Sequence, residues 1–531
     1  MNDKSYYLRP DVQIEPLFNQ WYAWSHLIAP ATAAMNIGNS HIKIMNSYIM
    51  APEIHAIAVK NPAMRGGPFL DFDSDRVAEI KNLLERTMKD QAHMVEFSIA
   101  IKRLNDLLLN EGRGQSLETL YEKVPDALRG YVELVYDLNH RPAIRLLEGL
   151  LYRSAYYDPA RQSISLSICQ GDDRPFVFST PRMGNKTSIT LKVPFSDTGL
   201  DELAKMRCKP EKLGYISEVL GISRDDEQLF RTFFTTDVPP PTTKYEGEAV
   251  RIRYFGHACI LIESKDLCVM IDPLVSYEYE SDIFRYSFSS LPEKIDYVLI
   301  THGHSDHIVM ETLLQLRHKI GTIVVPKSGG GALEDPSLKL MLQHTGFRNV
   351  VELDEMETID VPGGSLTGIP FLGEHGDLNT RTKLAHYVKL GGRSLLYAAD
   401  SRNVDSKLYE RVHQSIGDIE TVFIGMECDG APLSWLYGPL LMKPLDRKLD
   451  QTRRFSGSDF VRAFEIVRIF NSKEVYVYAM GQEPWLNFIT SIKYTDESNP
   501  IVESNKLVAA CRSNGIAAER LYGCKELCSQ S

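Results

Sequence analysis

The chain has 531 residues, more than one hydrophobic core organises, so two or more domains are expected. Its 43% hydrophobic and 24% charged content is that of a globular protein, and the net charge of −11 argues against a nucleic-acid partner held through phosphate contacts. No run of about eighteen apolar residues marks a membrane span, and the opening Met1-Asn2-Asp3-Lys4-Ser5-Tyr6-Tyr7 lacks the apolar stretch of a signal peptide.

Taken in chain order, Ser74 to Gly112 has helical apolar spacing at Ile80, Leu83, Leu84 and Met88. Leu117 to Tyr156 is also read as helical, with Leu134, Leu138, Ile144, Leu147 and Leu150 on its apolar positions. Short strands are expected at Ser163–Ile168, Phe176–Phe178 and Thr187–Leu191. These elements make residues 1–240 an α+β domain without a catalytic motif. Pro239-Pro240-Pro241 is a stiff connector with no donors for a sheet. Residues 247–531 then read as a second domain, opening with a strand at Ala249–Phe255 and a Gly256-His257 break. A buried strand follows at Cys268–Ile271 and ends in Asp272-Pro273. The eight cysteines lack paired spacings apart from Cys524 and Cys528, placed on one helical turn. Free thiols in a reducing cytoplasm are the expectation. Ser328-Gly329-Gly330-Gly331 lacks the Lys-Ser/Thr ending of a phosphate loop and is read as a turn.

The densest chemistry lies in Thr301-His302-Gly303-His304-Ser305-Asp306-His307, three imidazoles and a carboxylate within six residues. A buried strand, Lys294–Ile300, precedes it, and helical spacing from Ile308 to Leu316 follows. On an extended turn the alternate residues His302 and His304 face one ion, while Asp306 and His307, read as opening the next helix, face a second. Such crowding carries desolvation and repulsion that only a metal offsets. Two later segments add donors. Pro370–Asp377 offers Glu374 and His375, which compete for one position, and the apolar strand Arg393–Ala399 ends in Asp400, a further ligand or else the N-cap of a following helix. The hairpin that ends in Asp272 resembles the opening hairpin of metallo-β-lactamase-fold enzymes, which implies that Asp272 supports the site by hydrogen bonding. His257 is either a second such support or a histidine satisfied at a strand break.

His-x-His-x-Asp-His in this setting is the metal signature of the metallo-β-lactamase fold, so the second domain is expected to be an α/β, αββα sandwich. Dinuclear zinc hydrolases of that fold take a final histidine from a late strand. Here that strand is Glu474–Gln482, it carries no imidazole, and the last of the 14 histidines is His413. A centre short of nitrogen and rich in carboxylate favours iron or manganese over zinc.

With Glu374 and the missing late histidine in view, the chain resembles the diiron β-hydroxylases of nonribosomal peptide biosynthesis, of the chloramphenicol-pathway type. Arg141–Tyr152 and Ser154-Ala155-Tyr156 match that family's N-terminal domain in character, and Gly425-Met426-Glu427-Cys428-Asp429-Gly430 extends the match in the catalytic half. The resemblance implies an O2-dependent monooxygenase that hydroxylates Cβ of an amino acid held as a phosphopantetheine thioester on a peptidyl carrier domain. It implies two Fe ions, an external electron donor and an electron-transfer partner. His302, His304 and Glu374 would hold one iron, Asp306 and His307 the other, and Asp400 would bridge. Glu427 is assigned a supporting place beside the metals, or else pairs with a local base. Cys428 is read as a small buried residue rather than a thiolate ligand. Trp435–Leu440 lines a substrate channel or belongs to an aromatic core. The N-terminal domain is expected to build a homodimer interface or to cover the site. Lys443, Arg447, Lys448, Arg453 and Arg454, ahead of a helix at Phe460–Phe470 capped from Ser456-Gly457-Ser458, form either a docking surface for an acidic carrier or an ordinary solvated charged loop. The competing reading is a dinuclear zinc hydrolase of an ester, lactone, thioester or phosphodiester, in which a metal-bound hydroxide attacks the substrate.

Overall fold

The computed structural model describes residues 4–527 apart from residue 243, so Cys528 of the close cysteine pair lies outside the described residues. Two seven-stranded sheets form the centre of the catalytic half. In spatial order the first runs Val350–Leu353, Ile320–Pro326, Ile295–Leu299, Cys268–Ile271, Cys259–Glu263, Arg251–Gly256 and Lys525–Leu527. The second runs Thr358–Val361, Gly364–Ile369, Ala385–Leu390, Arg393–Tyr397, Thr421–Gly425, Glu474–Tyr478 and Ala517–Arg520. Their strands are rich in β-branched and aromatic residues, as fully buried strands require. Ile252, Ile260, Ile271, Val388, Leu395 and Phe423 fill the space between the sheets. Helices Ser406–Ile416, Phe460–Ile469 and Asn499–Ser513 supply residues to the core behind the second sheet.

Behind the first sheet lie helices Met310–Leu316 and Leu338–His344, and their core is continuous with that of the N-terminal half. There a four-stranded sheet of Trp21–Tyr22, Val12–Phe18, Gln162–Ile168 and Ser188–Leu191 meets helices Val77–Asp90 and Ala92–Glu111. No helix among the described residues is long and apolar enough to cross a membrane.

Several expectations are corrected. Residues 117–156 are not a long helix. They form short 3-10 turns and a hairpin, Val132–Tyr136 paired with Pro142–Leu146, followed by one short helical turn at Glu148–Leu151. Asp137 Oδ1 accepts the N–H groups of Asn139 and Arg141, both at 2.8 Å, which closes the hairpin turn. Leu138, placed on the apolar face of the expected helix, is fully exposed at its tip. Phe176–Phe178 is a loop whose rings pack against Trp435. Residues 525–527, expected to be helical, form the edge strand that pairs Ile252 with Leu527. Helix Phe460–Ile469 is capped by Asp459, whose side chain accepts the Arg462 N–H, not from Ser456-Gly457-Ser458.

Candidate metal centre

Strand ends from both sheets converge on one place. Asp272 follows Cys268–Ile271, the histidine cluster follows Ile295–Leu299, Asp400 follows Arg393–Tyr397, and Glu427 follows Thr421–Gly425. The chain turns sharply at these ends. Asp272, Glu374, Ala399 and Ala479 all have positive φ, at 40°, 66°, 49° and 51°. Backbone conformations of that kind, unfavourable for residues with a Cβ, persist only where the surroundings impose them. Asp306 and His307 lie in a turn and do not begin the helix as expected; it starts at Met310.

The six metal candidates come together. His304 Nδ1 lies 2.7 Å from Glu374 Oε1, and His302 Nε2 lies 3.6 Å from Glu374 Oε2. His307 Nε2 is 3.0 Å from Asp400 Oδ2, which is 3.8 Å from His302 Nε2. The donor atoms of His302, His304 and Glu374 fall within 4.8 Å of one another, as do those of His302, His307 and Asp400, so Asp400 lies between the two groups. A third such group joins His257 to Asp306 and His307. His375 takes another position: its ring stacks on His304 at 4.5 Å, with Nδ1 3.0 Å from Glu374 Oε2.

The two supporting candidates also fall here. Asp272 is fully buried; it accepts from the Thr301 amide at 2.8 Å and the Thr301 hydroxyl at 2.6 Å, and its Oδ2 lies 2.8 Å from His307 Nδ1. This contact leaves His307 Nε2 facing the other donors, the arrangement usual behind a ligating histidine. Glu427 lines the same cavity as His304, Glu374 and Asp400. Its Oε2 accepts the Gly430 N–H at 3.0 Å, so its partner there is a backbone amide rather than the local base considered above. Burial pushes its carboxyl up to about 7, against the pull of that amide. Burial likewise pushes the Cys428 thiol up to about 12, which disfavours a thiolate ligand.

The electrostatics fit a pair of cations. Burial pushes the Glu374 carboxyl up to about 7 despite the attraction of His304. Burial also holds His302 well below the usual imidazole range, with His307 and His304 adding to it. For His307 burial works the same way, but the carboxylates of Asp400, Asp306 and Asp272 outweigh it and raise the group well above that range. His302 Nε2, Glu374 Oε2 and Asp400 Oδ1 are buried without a hydrogen-bond partner. Four carboxylates around largely apolar walls, with unpaired donors aimed inward, are satisfied by multivalent cations rather than by one another.

Sequence reasoning missed what the N-terminal half brings. Ser25 Oγ donates to the Gly303 carbonyl at 2.9 Å, inside the histidine cluster. His26 meets the Tyr437 ring edge-on at 5.5 Å, and Tyr437 Oη lies 3.4 Å from His304 Nε2. Arg65 lines the cavity beside the metal candidates. These contacts span hundreds of residues, and no local pattern announces them. The N-terminal half thus reaches the histidine loop and the cavity wall. Trp435 and Leu436 line the cavity, while Leu436, Tyr437 and Leu440 also belong to the buried core.

Fold and site together define a dinuclear metalloenzyme of the metallo-β-lactamase fold. Residues 7–239 match the diiron non-heme beta-hydroxylase N-terminal domain and residues 268–428 the beta-lactamase superfamily domain. The chain is 38% identical over 527 residues to the 4-amino-L-phenylalanyl-[CmlP-peptidyl-carrier-protein] 3-hydroxylase of Streptomyces venezuelae, covering 97% of this chain and 98% of that one. The crystal structure of CmlA, a diiron beta-hydroxylase from Streptomyces venezuelae, superposes with a TM-score of 0.93 at 36% identity, covering 99% of this chain and 100% of that chain. A metal-dependent hydrolase of Methanopyrus kandleri is 26% identical over 174 residues, 31% of this chain and 68% of its own. This chain belongs to the non-haem diiron β-hydroxylases, whose cofactors are two iron ions and whose co-substrate is O2. That likeness extends through the N-terminal half, whereas the hydrolase likeness reaches only part of the chain, so the hydrolase reading is set aside.

Proposed function

We propose that this protein inserts one oxygen atom from O2 into the Cβ–H bond of an amino acid held as a thioester on a peptidyl carrier domain, drawing two electrons from an external electron-transfer partner. The observation that carries this reading is the donor set, in which Glu374 occupies the corner beside His302 and His304 while His375 lies stacked to one side. The carrier-bound substrate is carried over from the printed activity of the Streptomyces relative. His302, His304 and Glu374 would hold one iron, Asp306 and His307 the other, with Asp400 between them. The iron pair supplies the activation of O2.

The chain's own residues position and shield. The cavity holds about 340 Å³, with Trp435, Leu436, Phe455, Met480 and Ile489 on its walls, so an apolar aminoacyl side chain is the occupant it suits. Glu427, protonated over part of the neutral range, is placed to hold or pass a proton at its carboxyl oxygen. The N-terminal half excludes water from the histidine loop through Ser25 and His26.

Mass spectrometry of aminoacyl-carrier proteins treated with reduced enzyme and O2 is expected to show a gain of one oxygen. Release of the free amino acid without reductant would favour thioester hydrolysis instead. For carrier docking, the basic segment divides in two. Arg453 Nε donates to Gly376 O at 2.7 Å and Arg454 Nε to Asp429 O at 2.6 Å, so both secure loops at the cavity. Lys443, Arg447 and Lys448 are exposed. Reversing these three to Glu is expected to raise KM for the carrier substrate roughly tenfold, with a weaker penalty at high salt. An unchanged KM would place docking elsewhere. A homodimer remains part of this reading through the N-terminal half, and sedimentation of the purified protein tests it.

A further inference from the structure

Histidines aside, Arg65 is the one basic residue on the wall of the metal cavity among the described residues. It comes from the N-terminal half, on the segment of residues 61–70 that follows helix Pro52–Ala58. The backbone of that segment is fixed at several points. A 3-10 turn at Pro62–Met64 opens it, the Gly67 N–H donates to the Met64 carbonyl at 3.1 Å, and the Leu70 N–H donates to His55 Nδ1 at 2.9 Å. Trp435 Nε1 donates to the Gly66 carbonyl at 3.0 Å. Gly66 has φ 71°, and a Cβ there would stand 3.2 Å from Trp435 Nε1 and 3.3 Å from Ser491 Cβ, so glycine permits this close approach. Trp435 and Ser491 themselves line the cavity.

The Arg65 backbone is therefore held against the cavity, while its guanidinium has no hydrogen bond and no ion pair among the described residues. Burial and Asp173 raise the Asp71 carboxyl and Arg182 and Arg65 oppose them, but no ion pair joins Asp71 to Arg65. Arg65 is half-buried and its neighbour Met64 is 38% exposed, whereas Glu374 and His304 are 5% and 6% exposed. The cavity thus runs from a guanidinium at its rim to metal donors at its floor. Helix Ser434–Tyr437 joins the two ends, with Trp435 bonded to the segment that carries Arg65 and Tyr437 Oη 3.4 Å from His304 Nε2. An arginine so placed calls for an anion, and its planar fork suits a phosphate held by two N–H groups.

The substrate class read above has the matching polarity. Its Cβ–H must reach the floor, its arm must leave by the rim, and the anionic group of that arm is the phosphate at the far end. We propose that Arg65 is a specificity-determining residue of this site, receiving the phosphate of the phosphopantetheine arm at the cavity rim. This rests on the carrier-thioester reading and adds to it a means of telling a tethered amino acid from a free one. A free amino acid carries its anion beside Cα and leaves Arg65 unpaired when its Cβ is at the floor.

The test is calorimetric titration of the iron-loaded enzyme without reductant. The probes are phenylalanyl-phosphopantetheine and phenylalanyl-pantetheine, each with an amide in place of the thioester, together with free phenylalanine and a phenylalanyl-loaded carrier. The parent is expected to bind the phosphate-bearing probe about ten- to hundredfold more tightly than the pantetheine probe. Arg65→Gln is expected to bind both as the parent binds the pantetheine probe, and Arg65→Lys, which keeps the charge but not the fork, to retain part of the preference. Equal affinity of the parent for the two probes would overturn the proposal and needs no variant to fold. A phosphate preference that survives in Arg65→Gln would overturn it too. So would a loss of free phenylalanine binding in that variant, which would make Arg65 a reader of the α-carboxylate. Should the parent bind free phenylalanine as tightly as both probes and the loaded carrier, the carrier-thioester reading itself fails, and this inference with it.

Discussion

Asp272 shows how much of the centre depends on a residue that touches no metal candidate except through His307. Its carboxylate accepts from both the Thr301 amide and hydroxyl and faces His307 Nδ1 at 2.8 Å, all in a fully buried position. Two consequences follow from those bonds. The His307 ring is fixed in orientation, and its Nε2 lone pair is made more basic toward a metal. In Asp272→Asn one oxygen becomes an amide, which must either donate toward His307 Nδ1 or turn its NH2 toward the Thr301 N–H. One buried pair is mismatched either way. Iron affinity at the second position is expected to fall about 10- to 100-fold, measured as iron retained per chain during titration with a chelator. Retention equal to that of the parent would mean that Asp272 only holds the turn.

At the scale of elements, the piece that matters most is helix Met310–Leu316, which leaves the histidine loop and packs against the N-terminal half. Its Glu311 shares Arg174 with Glu15 of strand Val12–Phe18, at 2.8 Å and 2.6 Å, and Arg182 adds a contact to Glu15 at 3.0 Å. All four side chains are about 10% exposed or less. Burial would push the Glu15 carboxyl up, but Arg182 and Arg174 hold it down to about 2. Arg174→Met leaves Glu311 with the Tyr277 hydroxyl and Glu15 with Arg182 alone. Breaking a buried ion network from one side costs roughly 3–5 kcal/mol, so the urea midpoint is expected to fall markedly. An unchanged midpoint would mean that water reaches the cluster. None of this was legible in the sequence, because Glu15, Arg174 and Glu311 carry no local pattern and meet only through the fold. The metal loop was legible because its donors are neighbours in the chain. Asp272 and Asp400 could be read because each ends an apolar strand. The hairpin at 132–146 was misread because its leucines also fit helical spacing, while the turn made by Asp137 and Asn139 was passed over.

At the scale of the whole molecule, acid tolerance is set by histidines that the fold keeps neutral. His41 is 4% exposed and stacks on Trp21, with ring centroids 3.7 Å apart and planes within 4°. Burial lowers it from 6.5 to about 3. The sign follows from proton uptake. Between about pH 6.5 and 3 the unfolded chain holds a proton on this residue and the folded chain does not, so stability falls as the pH drops through 6.5 and rises again with pH. The full contribution is present only above the unfolded value. At pH 5 the penalty from this one group is about 2 kcal/mol, since each unit below 6.5 costs roughly 1.4 kcal/mol. His41→Phe keeps a flat ring against Trp21 and removes the titration. Its urea midpoint relative to the parent is expected to be higher at pH 5 than at pH 7 by the equivalent of that energy, and the gap should close again as the pH is raised. A difference between the two proteins that is the same at both pH values would show that His41 gains its proton without unfolding, and would move the origin of the acid sensitivity to the carboxylates around the metals.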